Sequence, residues 1–162
     1  MLYNKLDETA EGVYIISATP FKDSGELDLE STKKLVDFYL EKGVDGITVL
    51  GVMGEAPKLT IEESKLFLNT VLKQVNQRVP IIVGVSNPGI DNLIDLSNFS
   101  MDNDAAGVMI APPPGIGTEE KLYNYLTNIL DKLDDRIPVC YQDYPFFTKS
   151  EISVATFNKI IE

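Results

Sequence analysis

An α/β fold built on a parallel sheet is predicted by two features of the 162-residue sequence: five short apolar runs, and a longer amphipathic run after each. The apolar runs are rich in β-branched residues and unbroken by charge, as strands covered on both faces are. Strand starts near Val13, Ile47, Pro80, Ala106 and Ile137 recur every 26 to 34 residues, the length of a βα unit. Five units in series imply right-handed crossovers. A doubly wound open sheet closes at about this length, whereas a barrel needs roughly 250 residues and would be incomplete. The period does not choose between them.

The predicted strands are Gly12–Ala18, Gly46–Leu50, Pro80–Val85, Ala106–Ile110 and Ile137–Tyr141. Their short length and flanking Gly and Pro favour strand over buried helix. The first helix runs from Asp28 to Lys42, with Leu29, Leu35, Val36, Tyr39 and Leu40 near one face and Gly43 ending it. Thr60-Ile61-Glu62-Glu63 reads as a capping box ahead of Phe67, Leu68, Val71, Leu72 and Val75 at helical spacing. Pro88 suits the first turn of a third helix carrying Ile90, Leu93, Ile94 and Leu96. Thr118 caps a fourth, with Leu122, Tyr125, Leu126, Ile129 and Leu133 inward. Ser150 opens a fifth, with Val154, Phe157, Ile160 and Ile161.

Composition excludes several chemistries. With no histidine, imidazole bases, Ser-His-Asp triads and His-ligated zinc are out, and the single Cys140 forms no internal disulfide or structural zinc site. No metal or cofactor is expected. The net charge of −11, from 14 basic and 25 acidic residues, repels a phosphate backbone and argues against nucleic acid. The N-terminus MLYNKLDETAEG has no apolar core of a leader, and no apolar run approaches the roughly 20 residues of a membrane span. A cytoplasmic protein with no membrane partner is the expectation.

In either architecture ligands bind beyond the carboxyl ends of the strands. Those ends read Thr19-Pro20-Phe21, Gly51-Val52-Met53-Gly54-Glu55, Ser86-Asn87-Pro88, Ala111 to Gly115 and Gln142 to Phe147. In the second, two glycines three residues apart permit a tight bend that presents the amides of Val52, Met53 and Gly54 to an anion. The same glycines fit a turn that merely packs strand on helix, and spacing leaves both readings open. No Lys-Ser/Thr follows, so it is not a nucleotide-binding loop. Glu55 is expected to orient the bend by accepting backbone N–H groups. Cys140 is expected to be a small buried apolar residue and Asp143 structural, while Pro112-Pro113-Pro114 shapes the rim. Lys22, Lys58 and Lys149 fall in predicted loops and read as surface charges.

Five segments resemble the dihydrodipicolinate synthase/N-acetylneuraminate lyase family, in order and in register from about Gly12 onward. Thr19-Pro20-Phe21 with DLESTKKLVDFYLEKGVDGI is similar to its opening, and Gly51-Val52-Met53-Gly54-Glu55 to its GTTGE signature. PIIVGVSN, AAGVMIAPPP and IPVCYQDYP resemble its third, fourth and fifth strands. The resemblance implies a (β/α)8 TIM barrel of which residues 1–162 form a single partial domain, the first five βα units. It implies a class I aldolase that binds pyruvate or another 2-keto acid as a Schiff base on a sixth-strand lysine, expected beyond Glu162. It also implies a homo-oligomer, a tetramer in the family, when full length.

Carried over by position, the family's carboxylate cradle falls on the amides of Val52 and Met53. The relay hydroxyls of its synthases fall on Val52, Pro114 and Gln142, and the arginine that grips their second substrate falls on Phe147. Valine and proline relay no proton, and Gln142 can only hydrogen-bond a keto or hydroxyl group. Tyr144, two residues past Gln142, is expected on the same strand face with a replacement hydroxyl. Val52, Met53, Gln142 and Tyr144 are therefore the expected substrate contacts, with no catalytic residue in the chain. The expected parent is a 2-keto-acid lyase other than a true dihydrodipicolinate synthase, inactive over these residues alone. The alternatives are a sugar-acid dehydratase of the same family, a non-catalytic keto-acid or sugar-acid binder on the same fold, and a self-contained open-sheet binding domain.

Overall fold

The computed structural model describes residues 5–161. The first four residues, read above with the N-terminus, and Glu162 lie outside the described residues. Five parallel strands run in the order β1-β2-β3-β4-β5: β1 Tyr14–Ile16, β2 Gly46–Val49, β3 Ile81–Gly84, β4 Gly107–Ile110 and β5 Val139–Tyr141. Each pairs in parallel with the next, with Ile15 beside Ile47, Ile47 beside Ile81, Val83 beside Val108 and Met109 beside Cys140. A doubly wound sheet reverses its strand order at a switch point. This sheet never reverses, so it winds one way, as the first five units of a (β/α)8 barrel do.

The pleat sorts residues between two faces. Ile47, Val49, Ile81, Val83, Val108 and Ile110 are buried beneath helices α1 (Leu29–Glu41), α2 (Ile61–Val75), α3 (Ile90–Asp102) and α4 (Glu119–Leu130). Phe67, Leu68, Leu93, Leu122 and Ile129 meet them from the helix side. On the opposite face Ile82, Ala106 and Met109 form a separate cluster with Leu6, Tyr14 and Cys140. Leu6 reaches it because the N-terminal segment crosses this face, its N–H donating to Ala106 O at 2.8 Å. Lys5 Nζ donates to Arg136 O at 2.7 Å alongside.

The helix boundaries follow their caps. Asp28 accepts from Ser31 N–H at 2.9 Å to start α1, and Gly43 lies just past its end at φ +74°. The capping box of α2 is reciprocal: Thr60 Oγ1 accepts from Glu63 N–H and Glu63 accepts from Thr60 N–H. Thr118 caps α4 as expected.

Two expected starts are displaced. Pro88 precedes the first turn of α3 rather than occupying it; Gly89 is the cap, and Asn87 Oδ1 accepts its N–H in a tight turn. The last helix, α6 (Val154–Ile161), is opened by Ser153, whose Oγ accepts from Thr156 N–H at 3.2 Å. Ser150 instead is buried with Thr148 at the end of an unexpected one-turn helix, α5 (Pro145–Thr148). Of the apolar residues α6 carries, Val154 and Ile161 are exposed, while Phe157 and Ile160 are half-buried. Among the described residues α6 packs chiefly on α4.

Candidate functional site

The chain leaves β2 through a bend whose shape is set by its neighbours. Leu50 is buried at φ 55°, a left-handed conformation that a leucine adopts only when its surroundings impose it. The last residue of β3, Gly84, explains how this fits: a Cβ there would fall 2.2 Å from Leu50 O. Gly51 lies near Ile16 and Met109, its built Cβ 3.6 Å from Ile16 Cγ2 and 3.3 Å from Met109 Cε. Met109 belongs to the face opposite the helices, so the bend sits over that face, between β1 and β4. Gly54 folds back until a Cβ would stand 3.2 Å from Leu50 Cα and N.

Two hydrogen bonds hold the bend closed. Glu55 N–H donates to Val52 O at 3.2 Å, and the buried Thr19 Oγ1 donates to Gly54 O at 2.7 Å. The Thr-Pro-Phe turn after β1 is thereby tied to the loop after β2. Among the described residues nothing accepts a hydrogen bond from the backbone N–H of Val52, Met53 or Gly54. Three successive free amides at a turn form a concavity suited to a carboxylate or phosphate oxygen. Glu55 does not orient this bend by accepting amides, as expected above; its carboxylate pairs with Lys58 Nζ, and its own N–H closes the turn.

Val52 is half-buried and Met53 is 61 % exposed. Gln142 is half-buried beyond β5, its N–H donating to Ile110 O at 2.9 Å. All five strands are parallel, so Gln142 and the amide bend lie at the same end of the sheet. Tyr144 does not share a strand face with Gln142, as expected above, because β5 stops at Tyr141. Tyr144 leads into α5, and its ring stacks on Phe147 with centroids 6.3 Å apart at 10°. Pro114 and Asp143 are exposed. Lys22 pairs with Glu26 at 3.4 Å, and Lys149 Nζ sits 4.9 Å from the Phe146 ring centre.

Burial pushes the Cys140 thiol up, away from the nucleophilic thiolate. The Tyr141 phenol is pushed up by burial and by the nearby Asp143 carboxylate. Among the described residues no three acidic or cysteine side chains gather as a metal site. No helix of the described residues is long and apolar enough to cross a membrane.

Three features escaped the sequence reading. Thr48 alternates with the helix-facing Ile47 and Val49, so its nearly buried hydroxyl belongs to the face beneath the bend. Ser86 Oγ accepts from Ala111 N–H at 2.8 Å and ties the loop after β3 to that after β4. The aromatic cluster on α5 is the third. A hollow of about 290 Å³ lies between Asn76 and Asp104, by the amino ends of β3 and β4, away from all of these groups.

Sequentially ordered βα units are those of a (β/α)8 architecture, in which ligands bind beyond the carboxyl ends of the strands. The chain belongs to the Dihydrodipicolinate synthetase family, whose pattern it matches over residues 9–162. It is 32% identical over 153 residues to the 4-hydroxy-tetrahydrodipicolinate synthase of Nitrosospira multiformis, covering 94% of this chain and 50% of the relative. The backbone is similar to that of the dihydrodipicolinate synthase from Rhodopseudomonas palustris, with a TM-score of 0.92 and 39% identity over 98% of this chain and 52% of that one. It is also similar to the N-acetylneuraminate lyase from Mycoplasma synoviae, with a TM-score of 0.82 and 25% identity over 93% of this chain and 51% of that one. The chain spans about half the length of the curated relatives it matches.

Proposed function

We propose that these residues form the substrate-carboxylate half of a 2-keto-acid lyase of the aldolase type, a single partial-barrel unit. The observation that carries this reading is the set of unpartnered amides at Val52, Met53 and Gly54, held over the face opposite the helices. In the reading, the carboxylate of pyruvate or a longer 2-keto acid accepts from these amides, and Gln142 hydrogen-bonds a keto or hydroxyl oxygen farther along. A lysine outside this chain supplies the imine. An iminium withdraws electrons from the adjacent carbon, so a carbon–carbon or carbon–oxygen bond next to it is made or broken more easily. The work of the present residues is to bind and orient.

Dihydrodipicolinate synthesis itself is not the reading we favour. Val52, Pro114 and Gln142 stand where the resemblance requires relay hydroxyls, and Phe147 stands where it requires a carboxylate-gripping arginine. A hydroxyl for proton transfer would have to come from elsewhere, and Thr48, on the sheet face beneath the bend, is one candidate. The same vacancies keep a non-catalytic keto-acid binder as the second reading. The setting we propose is cytoplasmic and homo-oligomeric.

Borohydride separates the readings. The longest polypeptide encoded by the gene that carries these residues is incubated with pyruvate and borohydride, then weighed by mass spectrometry. A stable adduct on one lysine is expected, and none on residues 1–162 expressed alone. No adduct on the longer polypeptide with any small 2-keto acid would leave the binder as the surviving reading.

A further inference from the structure

We infer that Ser86 is a substrate-binding residue whose hydroxyl donates to the same carboxylate as the amide bend, so that the anion is gripped from the ends of two neighbouring strands. This deepens the keto-acid reading above and rests on it. Val52 brings no hydroxyl to the bend, and Ser86 supplies one from the next strand.

Alternation along β3 and just past it decides which way Ser86 faces. Ile82 belongs to the face opposite the helices, whereas Val83 and Val85 belong to the core beneath them. Val85 still pairs across the sheet, its N–H donating to Met109 O at 3.0 Å. Ser86 comes next, on the Ile82 face over which the bend sits, and it is exposed there. Ala111 N–H, just past the end of β4, donates to Ser86 Oγ at 2.8 Å. That bond fixes the oxygen and uses one of its lone pairs, leaving the O–H to donate. Among the described residues nothing accepts the Ser86 hydroxyl proton. A donor held in place, open to solvent and without an acceptor suits an oxyanion, because a hydrogen bond to a charged oxygen is stronger than one to a neutral oxygen.

Gly84 ties this hydroxyl to the bend. A Cβ on Gly84 would lie 3.0 Å from Gly51 N and 2.2 Å from Leu50 O, so the end of β3 and the start of the bend are in direct backbone contact. Ser86 is two residues farther on, about 7 Å along the chain, toward the end of the sheet where the bend also lies. Each hydrogen bond spans about 2.8 Å, so a carboxylate lodged between the two takes a bond from each and bridges the gap. The tie to Ala111 extends the same support to the loop after β4. Three strand ends thereby act together, two by donating to the anion and the third by steadying one of the donors.

The test uses the longest encoded polypeptide and pyruvate, titrated by calorimetry. Ser86→Ala is expected to weaken pyruvate at least about tenfold, the range set by one hydrogen bond to a charged group. Ser86→Thr keeps the hydroxyl and is expected to stay within about threefold of the unaltered protein. Because Ser86→Ala also strips Ala111 N–H of its acceptor, Ser86→Asp separates contact from support. Its carboxylate can still accept from Ala111 N–H, but it sets a like charge beside the substrate and is expected to abolish binding, with a denaturation midpoint near that of the unaltered protein. Pyruvate binding by Ser86→Ala as tight as by the unaltered protein overturns the inference. So does Ser86→Asp binding no more weakly than Ser86→Ala, since no carboxylate would then lie beside residue 86. Either result, with pyruvate still bound by the unaltered protein, leaves the keto-acid reading standing. Failure of the unaltered protein to bind pyruvate or any small 2-keto acid sinks that reading and the inference with it.

Discussion

Thr19 shows how one hydroxyl holds two strand ends together. Its Oγ1 donates to Gly54 O across 35 residues of sequence, and both groups are buried. Thr19→Val keeps the shape and removes the donor, leaving Gly54 O unsatisfied at a cost of about 1–3 kcal/mol. Chemical denaturation should show that loss, and on the keto-acid reading proposed above the longest encoded polypeptide should also bind pyruvate less tightly; unchanged stability would show that the bend stands without this bond. The threonine and the paired glycines were legible as motifs, but their geometry was not. Gly84 reads in sequence as an ordinary strand residue, and only the tertiary neighbour Leu50 O shows why a side chain cannot stand there. The positive φ of Leu50 was equally hidden, because leucine carries no local preference for it. Thr48 was read as strand core, since a sequence period does not say which face of a covered strand meets the ligand.

The joint between α4 and α6 is held in part by a carboxylate. Glu119, in the first turn of α4, accepts from Ser153 N–H and from Thr156 Oγ1, the latter at 3.1 Å. These bonds hold its carboxyl below the ordinary carboxylate range, the Ser153 backbone bond contributing most. A carboxyl with a lowered folded-state pKa contributes stability that is present above its unfolded pKa and lost as pH falls through the folded one. Amide exchange in residues 153–157 should therefore accelerate as pH drops below the usual carboxylate range, after correction for intrinsic rates. Glu119→Ala should abolish that pH dependence, and a profile shared by both proteins would place it elsewhere. Sequence reading put α6 in the right place yet opened it at Ser150, because a serine can open a helix and the start at Ser153 depends on Glu119 arriving from α4. It missed α5 because Pro145 marked a loop, whereas proline also suits a first helical turn. The α1, α2 and α4 caps were legible because each is local, a side chain reaching two or three residues along its own chain.

Across the whole molecule, the feature the βα period left open was settled by strand order. Apolar runs and helix faces fit a doubly wound sheet and a barrel equally well, because both bury the same pattern; the uninterrupted order β1 to β5 fits only the second. That order has a consequence for the polypeptide of these 162 residues made by itself. Within the described residues β1 pairs only with β2, and β5 only with β4, so each presents one edge of unpaired backbone groups. Apolar side chains lie on those strands or next to them, with Val13 62% and Val139 36% exposed. Parallel edges bordered by apolar residues pair readily with other chains. Sedimentation velocity should show self-association that grows with concentration. Val139→Lys, on β5, should shift the distribution toward monomer, since a charge at an edge strand discourages strand addition. A monodisperse monomer with one sharp thermal transition at high concentration would mean that these margins are protected in solution, and would require an account of what protects them.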